Sequence, residues 1–93
     1  MNQHTQDDIF YTSKVGDLIT ELRKFGEEIC LYTEDPEVFR RFSASKFCQG
    51  IGAYERADQI YAHDLYFPRK QKAKIIKMLK KQPSVAGKTE FFS

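Results

Sequence analysis

The sequence has no tryptophan, only two cysteines and three prolines, and no apolar run in it approaches the ~20 residues a helix needs to cross a bilayer. One pair of cysteines could form a disulfide in a secreted protein, so the compartment decides how they are read. Cys30 and Cys48 both sit in apolar stretches. The leading residues Met1–Asp8 are polar where a secretion signal has an apolar segment. Together these features predict two buried free thiols in a cytoplasmic protein that does not bind a membrane.

Catalytic signatures are also scarce. The two histidines and two cysteines have no zinc-site spacing. His63 and Asp64 are neighbours on an expected strand, so their side chains point to opposite faces and cannot act as a dyad. Cys48 and His63 share a hairpin face only diagonally, with no residue to orient the imidazole. Gly50-Ile51-Gly52 lacks the following helix of a phosphate-binding loop and reads as strand glycines covered by rings. No enzymatic activity, metal or cofactor is predicted.

Acid is missing where its absence is most informative. Residues 1–66 hold seven Lys/Arg and twelve Asp/Glu, whereas residues 67–93 hold eight Lys/Arg and only Glu90. The small net charge of +2 therefore hides an acidic body and a basic end. From Arg69 to Gln82 the chain reads as an amphipathic helix closed by Pro83. Ile75, Ile76 and Leu79 form its apolar arc, and Lys70, Lys74, Lys77 and Lys81 form a stripe on the other side. Lys neighbours one turn apart repel by ~0.2–0.5 kcal/mol each, and helices usually relieve this with Glu. Either the stripe is simply solvated, or negative charge comes from outside the helix: the acidic body, a nucleic-acid backbone, an acidic protein or a membrane.

The rest of the chain predicts a small α+β domain, residues 1–93, with an ordered core over about 8–82 and loose ends at 1–7 and 84–93. A short strand is expected over 8–12. Val15, Leu18, Ile19, Leu22 and Phe25 recur at helical spacing, which predicts a helix over 14–25 capped by Ser13 and stopped by Gly26. Glu28–Thr33 reads as a buried strand. Asp35-Pro36-Glu37 opens a short helix over 36–44. Phe47–Tyr54 and Gln59–Phe67 form a hairpin around a four-residue loop. The expected architecture is a mixed or antiparallel sheet of three to four strands with about three helices.

The charge pattern predicts a nucleic-acid-binding accessory protein that contacts DNA or RNA phosphates through Arg69, Lys70, Lys74, Lys77, Lys80 and Lys81, supported by Arg40 and Arg41. Tyr54, Tyr61, Tyr66 and His63 are candidates to stack on bases, although core packing explains them as well. The alternative is a protein-interaction module: a homodimer, or an adaptor for an acidic protein partner.

Overall fold

The computed structural model describes residues 8–81 and 90–92. An antiparallel sheet of six strands carries two helices on one face. The strands are β1 (Ile9–Val15), β2 (Leu18–Phe25), β3 (Glu28–Thr33), β4 (Gly50–Arg56), β5 (Gln59–Pro68) and β6 (Glu90–Phe92), in the spatial order β4-β5-β3-β2-β1-β6. Helix α1 spans Pro36–Ser43, and helix α2 spans Lys72–Lys80 after a 3₁₀ turn at Arg69–Gln71. The fold is α+β, with more strands and fewer helices than the sequence predicts.

The principal correction falls on residues 14–25, which form the β1–β2 hairpin rather than a helix. The turns decide it. Gly16 has φ +63° and Gly26 has φ +59°, and each occupies the first position of a two-residue loop, where a positive φ lets the loop twist match its strands. The apolar residues at 15, 18, 19, 22 and 25 match a helical period by coincidence. The true period of two is masked, because three buried positions on the helix-bearing face are Ser13, Thr20 and Thr33. The Thr20 and Thr33 hydroxyls satisfy each other at 2.7 Å, so this polar patch buries without loss.

The hairpin at 47–67 exists with a different turn and register. Its loop is two residues, Ala57-Asp58, with φ +52° and +65°. A bulge then leaves Tyr61 without a cross-strand partner, because Tyr54 pairs with Ala62 and Glu55 with Ile60. Gly50 consequently faces Tyr66, and Gly52 faces Asp64 rather than a ring. A Cβ at Gly50 would meet the Tyr66 ring at 3.5 Å, an ordinary contact.

Helix α1 starts as its sequence predicts. Asp35 Oδ1 accepts from the Glu37 amide at 2.9 Å, and Pro36 fills the first turn. Val38 and Phe42 of α1 and Ile75 and Leu79 of α2 bury against Leu22, Ile29, Leu31, Leu65 and Phe67 of the sheet. Each fully buried side chain of this size contributes roughly 1.5–3 kcal/mol. Val15, Leu18, Phe39 and Ile76 are half-buried. Cys30 is buried, Cys48 is half-buried, and both are free thiols. The expected loose ends at 1–7 and 84–93 lie outside the described residues, except for Glu90–Phe92, which pairs with Thr12–Lys14 of β1. No helix among the described residues is long and apolar enough to cross a membrane.

Candidate functional site

The helical layer gathers the basic residues. Residues 36–49 and 69–81 together hold ten Lys/Arg and a single acid, Glu37. Glu37 pairs with Arg40. Lys70, Lys74, Lys77, Lys80 and Lys81 are all exposed, and among the described residues no carboxylate forms an ion pair with any of them. The acidic body therefore does not neutralise the stripe directly. The apolar arc of Ile75 and Leu79 turns the helix so that its lysines face outward. Lys70 belongs to the 3₁₀ turn and Lys81 is the C-cap, so the stripe extends past both ends of the α-helix.

The basic segments meet at Phe47. Lys46 Nζ lies 5.5 Å from its ring centroid, and Lys74 Nζ lies 4.8 Å from the same centroid. The connection after α1 and the face of α2 thus form one cationic surface. Arg40 is exposed beside its Glu37 partner, and the exposed Arg41 packs its guanidinium 5.9 Å from the Phe42 ring. The guanidinium of the exposed Arg69 donates to the Gly26 carbonyl in the β2–β3 turn.

The opposite face of the sheet is crossed by aromatic rings that no described element covers. Phe25 lies 5.2 Å from Tyr66, Tyr32 lies 5.4 Å from Tyr54, and Tyr54 lies 6.1 Å from Tyr61. Carboxylates anchor their hydroxyls: Tyr54 donates to Asp64 Oδ2 at 2.7 Å, and Tyr32 donates to Glu34 Oε2 at 2.7 Å. The hydrogen bond to Asp64, followed by burial, pushes the Tyr54 hydroxyl up to about 12. Burial, reinforced by Asp64, pushes the Cys30 thiol up to about 12, while Arg23 opposes the shift. Such a thiol stays protonated near neutral pH and is a poor nucleophile.

A cavity of about 340 Å³ opens in this face, lined by Arg23, Phe25, Cys30, Tyr54, Asp64 and Tyr66 among others. The Oδ1 atom of Asp64 is buried without a hydrogen-bond partner among the described residues.

The hairpin tyrosines are legible in the sequence as surface aromatics. Arg23, Cys30 and Asp64 are not, because their meeting depends on the β2–β3–β5 register. His63 does not join the tyrosines. It lies on the helix-bearing face, stacked on Phe39 at 3.7 Å, so His63 and Asp64 do point to opposite faces. No group of three or more His, Cys, Asp or Glu among the described residues is placed to hold a metal ion. Comparison with protein-family models, with curated proteins and with solved structures finds no match to this chain.

Proposed function

We propose that the protein binds nucleic acid along the phosphate backbone, through the cationic surface of its helical layer. One observation carries this reading. Ten cations against one acid converge on one side of the sheet, and Lys70, Lys74, Lys77, Lys80 and Lys81 have no intramolecular counter-ion among the described residues. A surface that retains this self-repulsion gains most from a polyanion, whose condensed counterions are released on binding. The aromatic face is a poor second contact for nucleic acid, because Glu21, Glu34 and Asp64 lie on it and would repel phosphate.

Binding to labelled DNA and RNA, measured across a salt series, tests the proposal. Lys77 and Lys81 are exposed, and among the described residues neither forms an ion pair or a ring contact. The double change Lys77→Gln and Lys81→Gln should therefore leave stability intact. It should weaken binding similarly for all sequences and lower the salt slope by ~0.7–0.9 per lost contact. Failure of the native protein to bind either polymer at low salt overturns the reading, as does an unchanged slope in the double variant. Capture of an acidic protein in place of nucleic acid would favour an adaptor role.

A further inference from the structure

We infer that the cavity on the open sheet face binds a small zwitterion, an α-amino acid with a planar side chain, with its ammonium group on Asp64, its carboxylate on Arg23 and its ring against Phe25 and Tyr66. The cavity faces away from the cationic helical layer and is independent of it.

The carboxylate of Asp64 is half satisfied. Oδ2 accepts from Tyr54 at 2.7 Å and more weakly from Tyr66 at 3.5 Å, which fixes the group in position. Oδ1 is buried and has no hydrogen-bond partner of ordinary geometry among the described residues; the Cys30 thiol, a weak donor, is the group that interacts with this carboxylate. Arg23 lines the same cavity, yet its ion pair, at 3.8 Å, is with Glu21 and not with Asp64. Opposite charges thus share one cavity without neutralising each other. A simple amine would satisfy Asp64 but would sit beside the Arg23 guanidinium, whose charge Glu21 offsets only loosely at 3.8 Å. A simple carboxylate would do the reverse, and a phosphate would meet Asp64 unfavourably. Asp8 and Lys24 also line the cavity, so both signs of charge recur there, and a ligand carrying both charges suits it better than one carrying either alone.

Size and wall chemistry agree with such a ligand. About 340 Å³ is at the small end of ligand sites, and the flanking rings of Phe25 and Tyr66 offer stacking surface beside a few convergent polar groups. Gly50, opposite Tyr66 on the edge strand, leaves that ring uncrowded.

Titration calorimetry of the full chain with phenylalanine, phenethylamine and 3-phenylpropionate tests the inference. Phenylalanine should bind at least ~10-fold tighter than either analogue, because each analogue lacks one charge-assisted contact. Asp64→Asn should abolish its advantage over phenylpropionate, and Arg23→Gln its advantage over phenethylamine. Equal binding of all three ligands would reduce the site to apolar contact and overturn the inference. So would absence of binding at roughly 10 mM, beyond which a Kd corresponds to less than ~3 kcal/mol. If Asp64→Asn does not fold, the half-exposed Arg23 decides alone. An unchanged ligand ranking in Arg23→Gln overturns the proposal, and loss of the carboxylate preference supports it.

Discussion

The Tyr54 hydroxyl reaches diagonally across the β4–β5 hairpin to Asp64, two pairs beyond its own cross-strand partner Ala62. A slip of the hairpin by one residue would put these side chains on opposite faces, so the bond favours the bulged register over its alternatives. Tyr54→Phe should destabilise the protein by ~1.5–3 kcal/mol, the usual range for a hydrogen bond to a charged group. Urea denaturation checks this. A loss below a few tenths of a kcal/mol would mean that water replaces the phenol at no cost.

Alkaline sensitivity follows from the raised acidities. The Cys30 thiol shifts from an ordinary value of 9.0 to about 12, and the Tyr54 hydroxyl from 10.0 to about 12. Both groups hold their protons more tightly in the fold than in the unfolded chain. Their contribution is therefore complete below pH 9 and is lost as the pH rises toward 12. Each group weakens the fold by at most ~1.4 kcal/mol per pH unit within its window. Melting temperatures measured from pH 7 to 11 should be level at first and then fall. Cys30→Ala should flatten the onset, and in the native state Cys30 should react slowly with a thiol reagent near neutral pH.

Turn chemistry predicts changes of opposite sign. Asp58 holds φ +65° without being glycine, so Asp58→Gly should relieve strain and stabilise the hairpin by ~0.5–1 kcal/mol. Gly16→Ala imposes a side chain on φ +63° and should destabilise by ~1 kcal/mol or more. Thermal denaturation of the two variants reads both signs, and a stabilising Gly16→Ala would contradict the assigned turn.

The buried threonine pair gives a fourth test. Thr20→Val keeps the shape of the side chain and removes the partner of the Thr33 hydroxyl, whose oxygen also accepts from the Asp35 amide at 3.1 Å. The expected cost is ~1–3 kcal/mol, the desolvation penalty of an unpaired hydroxyl. Thr20→Ser keeps the bond and should cost about one methyl group, ~0.8 kcal/mol. A cheaper valine than serine would show that the hydroxyl pair contributes nothing net.

How much of this was legible in the sequence depended on how local each signal was. Helix α1 announces itself through Asp35-Pro36, and α2 through its apolar arc, because caps and helical spacing are set within a turn or two. Strand β3 is an apolar run and needs no partner to be read. The β1–β2 hairpin was hidden by polar residues in buried positions, although Gly16-Asp17 marks its turn and Gly26-Glu27, ten residues on, marks the turn from β2 to β3. Ala57-Asp58 gives no such mark, since neither residue favours a positive φ as glycine or asparagine does, and the hairpin register followed the misjudged loop. The lysine stripe belongs to one helix and was readable. The Asp64 cavity draws on three strands that are distant in sequence and appears only once they are paired.

The sheet order also determines how the chain finds its structure. β1, β2 and β3 are joined by two-residue turns, as are β4 and β5, so each group can zip from its own turns within microseconds. Only the pairing of β3 with β5, residues 28–33 against 63–68, joins the two groups, and it must first close the intervening loop through α1. That seam carries Leu31 opposite Leu65 and Ile29 opposite Phe67, all fully buried, so the largest hydrophobic gain arrives with the costliest search. The folding barrier is therefore expected at this single junction: truncations at Leu31 or Leu65 should slow folding, and changes in the three turns should slow it as well, because the turns form before the junction closes.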